Sequence, residues 1–220
     1  MKGFALVLVV ASSFVARAQG DFHQWVSAEL SGDLVGKFNW SGELNARFNQ
    51  YGMRSFFPQI GVDRKVTDWL KASVDYRMIS ERNDFGNYSV SNRINLNLTA
   101  KEELIDRLEG SVRLRYQYAF QNRFSENYDA DFDQAIRLKT KLDYDIDNVP
   151  ITPSAGIELF YNPIYGPKGP GFSKYRAEIG AEHEGLGDHS IGLKYIFDGK
   201  FENSDRPNRH ILSFSYSYSF

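Results

Sequence analysis

The feature that most constrains the fold is a two-residue alternation, clearest between Leu108 and Arg123. Even-numbered positions there carry mostly apolar residues and end in aromatics, whereas odd-numbered positions carry mostly charged, amide or serine side chains. Side chains alternate faces on a β-strand but recur every third or fourth residue on a helix. A helix would place Arg113, Leu114 and Gln117 on one stripe and mix their chemistry, so the pattern predicts a strand. Soluble strands usually have only about five or six residues.

The same alternation recurs along the chain and predicts one all-β domain over residues 19–220, an antiparallel up-and-down transmembrane β-barrel. Eleven segments are strand-like, but barrels whose two termini lie on one side of the membrane need an even number of strands. We therefore expect about ten strands with a short extra segment at 22–31, or twelve. Residues 102–107 are expected to form a connector with one helical turn. The expected strands cover 22–31, 37–48, 55–66, 69–81, 88–101, 108–123, 132–145, 151–161, 175–184, 190–198 and 210–220.

The first residues have the three-part layout of a secretory signal peptide. Lys2 supplies the positive start, residues 4–15 are apolar, and the sequence from Ala16 to Ala18 fits the small-x-small cleavage pattern. We therefore predict that residues 1–18 are a signal peptide and that the mature protein is exported. No later run approaches the roughly 20 apolar residues of a transmembrane helix.

Composition narrows the function classes. The formal net charge is -2, which disfavours a nucleic-acid partner because such proteins carry a concentrated basic face. The chain has no cysteine, so it has neither disulfides nor thiolate metal ligands. Aromatic residues make up 15% of a chain whose mean hydropathy is only -0.45, as expected for strands with one apolar and one wet face.

Alternation does not say which face points inward, because a soluble lipocalin-like barrel hides its apolar face whereas a membrane barrel exposes it to lipid. Three features favour the membrane barrel. The strands are about as long as a tilted membrane span, short turns alternate with longer polar loops, and aromatic side chains cluster toward the strand ends. Expected at the outer rim are Tyr76, Tyr88, Tyr118, Phe120, Tyr161 and Phe197, and at the inner rim Trp40, Trp69 and Tyr144.

The last strand ends on Phe220, with Tyr216 and Tyr218 in phase with it. This resembles the C-terminal signal of bacterial outer-membrane proteins, which implies the barrel assembly machinery and outer-membrane lipid as partners. An early strand with Trp25, followed by a strand with Glu43 and Arg47 on one face, is similar to a Bacteroidetes outer-membrane family of unknown function. That resemblance implies a barrel in the outer membrane and brings no activity. We expect the barrel to be a monomer.

The predicted inward face carries charges of both signs, which suggests ion pairs filling a narrow lumen because unpaired buried charge is costly. The leading hypothesis is a structural or binding barrel with contact loops at 124–132, 162–173 and 199–208; a small porin or polar-solute channel is the alternative. The predicted lumen network comprises Glu43, Arg47, Asp75, Arg77, Arg93, Glu109, Arg113, Arg115, Arg137, Lys139, Glu158, Arg176, Glu178 and Lys194.

Catalysis and metal binding receive little support from the sequence. Some small outer-membrane barrels are lipid hydrolases or acyltransferases that use His with Ser, but His210 and Ser213 have opposite parity and should leave opposite faces. No G-x-S-x-G occurs. Alternate aspartates at 129–133 offer a calcium-binding pattern, but we favour a solvated loop as their explanation. We expect no enzymatic activity, no metal and no cofactor.

Overall fold

The computed structural model describes residues 21–82, 86–121, 134–163, 170–201 and 208–220, and these form one closed β-barrel of eleven strands. The predicted signal peptide, residues 1–18, lies outside the described residues. The strands are β1 (Asp21–Asp33), β2 (Phe38–Asn49), β3 (Gly52–Lys65), β4 (Leu70–Arg82), β5 (Tyr88–Ile105), β6 (Leu108–Gln121), β7 (Gln134–Tyr144), β8 (Ile151–Asn162), β9 (Gly171–Leu186), β10 (His189–Lys200) and β11 (Arg209–Ser219). The described residues include no helix long and apolar enough to cross a membrane.

Each strand pairs in antiparallel fashion with the next one along the chain, and the barrel closes through a parallel pair, β1 with β11. The predicted all-β barrel is confirmed, with a strand number between the ten and twelve expected. The first segment is not a short extra piece: it bonds to β2 on one edge and to β11 on the other. Its alternation is weak because its inward positions include Trp25, so the sequence pattern understates a strand whose two edges are fully paired.

The apolar face of the wall points outward. Val112, Leu114 and Leu193 are 45%, 46% and 47% exposed, whereas Arg115 and Gln117 on the opposite face are 9% and 3% exposed. A soluble barrel would require the reverse arrangement, because burial of apolar surface is what stabilises a soluble core. Parity places the two sets on opposite faces of β6, and the exposures show which of these faces points outward.

The two ends of the barrel differ in their connections. At one end, called the short-turn end, the strands are joined by residues 34–37, 66–69, 106–107, 145–150 and 187–188; at the other, the long-loop end, by residues 50–51, 83–87, 122–133, 163–170 and 201–208. The expected helical turn at 102–107 is wrong, because β5 runs to Ile105 and turns tightly at Asp106 and Arg107. Arg107 has a φ of 65° and its amide donates to the Glu103 carboxylate at 3.0 Å, which stabilises this two-residue turn.

Candidate ligand cavity in the lumen

The buried apolar side chains of the described residues lie inside the barrel, in its long-loop half. We call this layer the lumen cap. Phe57 and Ile211 are its most buried members, 1% and 0% exposed, and their burial removes apolar surface from water in that half of the lumen. The lumen cap consists of Phe57, Ile79, Ala119, Ala135, Phe160, Ile196 and Ile211.

Below the lumen cap the barrel encloses a cavity of about 810 Å³. Its lining reaches Asp33, Asn39 and Ser219 at the short-turn end, and on β8 and β9 it extends past Phe160 to Asn162 and Ser173 near the long-loop end. We call this space the cup; its mouth is at the short-turn end, and the lumen cap narrows it toward the long-loop end. The volume falls in the range of small-molecule binding sites.

Arginine side chains stack on the three large rings at the narrow end of the cup. The Arg47 guanidinium carbon lies 3.9 Å from the ring centre of Trp25 and 4.7 Å from that of Phe57, and Arg77 lies 4.3 Å from Phe57 on the next strand. Such contacts are favourable because the ring face carries negative charge. They hold both guanidinium groups against the lumen cap without requiring a carboxylate.

Phe160 is the centre of a second stack. Arg137, Lys174 and Arg176 place their charged groups 4.4, 4.5 and 5.1 Å from its ring centre. Arg176 also lies 5.0 Å from the ring centre of Trp25, so the two stacks meet across the lumen. Cation–π contacts thus connect strands that are not neighbours in the sheet.

Glu158, which is 3% exposed, forms ion pairs with three arginines. Arg137 donates from Nε to Oε1 at 3.1 Å and from Nη2 to Oε2 at 2.8 Å, and Arg113 Nη2 donates to Oε1 at 2.9 Å. Arg176 Nη1 lies 3.6 Å from Oε2. A buried carboxylate is stabilised only when its desolvation is offset by such partners, so Glu158 organises the charges between β6 and β9.

Two further carboxylates neutralise neighbouring cations. Arg115 Nη2 lies 3.5 Å from the Asp75 carboxylate, which also accepts a 2.8 Å hydrogen bond from Asn97 Nδ2. Lys139 pairs with Glu178 in the same wall. These pairs lie among cross-strand neighbours of like charge, which repel each other unless a carboxylate intervenes. The like-charged register partners are Arg77 with Arg93, Arg113 with Lys139, and Arg115 with Arg137.

The structure places all fourteen residues of the predicted lumen network at inward positions, and every one except Glu109 lines the cavity. Glu109 lies closer to the short-turn end, where its carboxylate is 2.7 Å from Lys101 Nζ. We predicted that side chains fill the lumen. They do so in the long-loop half, where the lumen cap and its arginines pack, whereas the short-turn half contains the open part of the cavity. Sequence reasoning overlooked inward Trp25, Asn45, Phe57 and Phe160, although their parity marks them as inward, because only charged residues were considered.

The predicted aromatic residues all project from the outer wall. Trp40 stacks against Phe220 with ring centroids 6.3 Å apart, and Tyr218 packs edge-on against Phe220 at 4.8 Å, so the C-terminal aromatics form one cluster at the short-turn end. Tyr76 does not lie at the long-loop rim as expected, because β4 extends to Arg82 and leaves Tyr76 at its midpoint. There its hydroxyl donates to Asn92 Oδ1 at 2.6 Å. The others at the long-loop end are Tyr88, Tyr118, Phe120, Tyr161 and Phe197, and those at the short-turn end are Trp69, Tyr144 and Tyr216.

His210 and Ser213, the pair considered in the sequence, project from opposite faces of β11. His210 Nδ1 lies 2.6 Å from the Tyr195 hydroxyl on the outer wall, whereas Ser213 lines the cavity on the opposite face. His189 Nδ1 likewise lies 2.7 Å from the Tyr216 hydroxyl. Within the described ranges no group of three or more His, Asp or Glu side chains is arranged to hold a metal. The aspartates at 129–133 lie outside the described residues, as do most of the predicted contact loops.

Comparison with known proteins gives a family and no activity. A search of curated proteins finds no match. The family described as "Protein of unknown function (DUF2490)" matches residues 22–209, from the second residue of β1 to the first residue of β11. Because this range covers most of the chain, including the whole of β2 to β10, the chain belongs to the DUF2490 family.

Proposed function

We propose that the protein is a monomeric barrel of the bacterial outer membrane, which binds a ligand in a closed cup rather than conducting solutes. The wall supports this location. Its strands have 11 to 18 residues, enough to cross the hydrocarbon layer at a tilt, and its exposed face is apolar between two aromatic rims. Membrane barrels with an odd number of strands are known, so eleven strands are compatible with this proposal.

The lumen cap is the observation that supports a closed lumen. Phe57, Phe160 and Ile211 are 1%, 6% and 0% exposed, and arginines stack directly beneath the two rings. A path for ions would have to pass between these side chains, whose low exposure supports a closed lumen. In the membrane, short turns normally face the periplasm and long loops the exterior. The cup would then open to the periplasm and be sealed toward the outside.

Two experiments test the proposal. Membrane location predicts that the protein fractionates with the outer membrane and that the folded barrel migrates differently on a gel before and after boiling; recovery in the soluble periplasmic fraction would overturn it. Reconstitution into planar bilayers tests the closed lumen, with no steady single-channel steps expected. Reproducible conductance would instead favour the small porin, which the cavity of about 810 Å³ keeps as the second candidate.

A further inference from the structure

The cup has more positive charge than its own carboxylates neutralise. Among the described residues, eleven lysine and arginine side chains line it against eight carboxylates, and the buried Asp198 behind Lys174 and Arg176 adds a ninth. The carboxylates are also unevenly placed: Glu29, Asp33, Glu43, Asp63 and Glu182 lie in the half nearer the mouth. Deep in the cup, therefore, cations predominate, and buried charge of one sign is costly unless an opposite charge is supplied.

The excess is concentrated on one side of the barrel. Glu158, Glu178 and Asp198 neutralise the cations of β6, β7 and β9. On the other side, Arg47 and Arg77 have no carboxylate within ion-pair distance among the described residues. Arg77 donates from both Nε and Nη2 to the neutral amide oxygen of Gln59. Two guanidinium groups thus share the Phe57 ring, and no carboxylate of the described residues lies within 4 Å of either.

Unpartnered hydrogen-bond donors occur at the same place. Trp25 Nε1, Asn45 Nδ2 and Arg47 Nε are buried and have no hydrogen-bond partner within the part of the chain that the structure describes. Trp25 and Arg47 are register partners on β1 and β2, and Asn45 lies two residues along β2 on the same inward face. All three residues line the cavity. Buried donors are almost always paired, so three together indicate a missing acceptor.

We propose that the cup binds a small oxyanion of the phosphate or carboxylate class beside Trp25, Asn45, Arg47 and Arg77. An oxyanion supplies both missing elements, since it carries negative charge and only accepts hydrogen bonds from these donors. Arginine suits this class because its planar fork matches carboxylate and phosphate oxygens. The remaining cavity volume accommodates a group attached to the anion. This proposal rests on the closed cup of the proposed function and adds to it the chemical class of the ligand.

The test measures anion binding by the full-length barrel folded in a non-ionic detergent. Sodium phosphate, sodium citrate and sodium chloride are compared at equal ionic strength, by thermal unfolding and by titration calorimetry. We expect phosphate or citrate to raise Tm and to give saturable heat, with chloride doing neither; comparing phosphate with citrate identifies the anion class. Equal Tm values in all three salts, without binding heat, would overturn the proposal.

Variants locate the site. Arg47→Gln and Arg77→Gln should each weaken binding of the effective anion at least tenfold. Arg64→Gln is the matched control, because Arg64 makes a similar contact with Phe38, 5.1 Å from the ring centre, on the outer wall. Asn45→Leu removes an uncharged hydrogen-bond donor from the same site. This variant replaces an arginine variant in the test if the arginine variant fails to fold. Unchanged affinity in all the folded cup variants, or equal loss in Arg64→Gln, would show that the anion binds elsewhere and would overturn the assignment.

Discussion

Arg137 and Glu158 form a two-pronged ion pair across β7 and β8, although they are not register partners. The residue opposite Glu158 is Lys139, and the residue opposite Arg137 is Phe160. Arg137 therefore reaches diagonally to the carboxylate, with donor–acceptor distances of 3.1 and 2.8 Å, while its guanidinium lies over the Phe160 ring. One side chain thus links the charge network to the lumen cap.

The first prediction concerns this carboxylate. Glu158→Gln should lower the free energy of unfolding by about 3–5 kcal/mol, because it leaves buried arginines without their counter-charge. Glu109→Gln is the control, since Glu109 and Lys101 are 35% and 59% exposed, and it should cost about 1 kcal/mol or less. Urea unfolding of the refolded barrel measures both. Equal small losses would contradict the role assigned to Glu158.

The second prediction separates the two faces of β3 using adjacent rings. Phe57→Ala should destabilise the barrel by about 3–5 kcal/mol, because it opens a void in the lumen cap. Phe56→Ala should cost less, since Phe56 is 38% exposed on the outer wall and its removal leaves no enclosed void. The same unfolding assay compares them. A larger loss for Phe56 would argue against a packed lumen.

The third prediction tests lipid contact and depth. Leu114→Arg, in the interior of β6, should reduce the free energy of folding into lipid vesicles by about 2–4 kcal/mol. Ile105→Arg, at the short-turn end of β5 and 66% exposed, should cost only about 0–1 kcal/mol because arginine there reaches the headgroups. Folding yields in vesicles at graded urea provide the measurement. Similar costs at the two positions would show that the wall does not face hydrocarbon.

The fourth prediction tests closure of the barrel. Ser27 and Ser215 are partners in the parallel pair of β1 and β11 and both face the lumen. Because the chain has no cysteine, Ser27→Cys with Ser215→Cys should give one disulfide on oxidation, detected by a gel shift reversed by reductant. Ser27→Cys with Ser219→Cys is the control, offset by four residues or about 13 Å, and should not cross-link. The opposite outcome would indicate another register.

The sequence predicted the wall better than it predicted the lumen. Alternation in β6 identified the strand and separated its two faces, because parity is a local property of the chain, and the positions of the aromatic residues indicated which face points outward. Alternation could not identify the partners of Glu158, since Arg113 lies 45 residues away and meets it only because β7 brings Arg113, Lys139 and Glu158 into one register row. The alternation pattern also underestimated the length of β1, because β1 is held as a strand by backbone pairing with both β2 and β11.

The parallel pairing of β1 and β11 places the start of the first strand and the end of the last strand at opposite ends of the barrel. Both strands run in the same direction, so Asp21 and Phe220 mark opposite rims. A fluorophore placed beside each of them in sealed vesicles would be reached by a membrane-impermeant quencher from different sides.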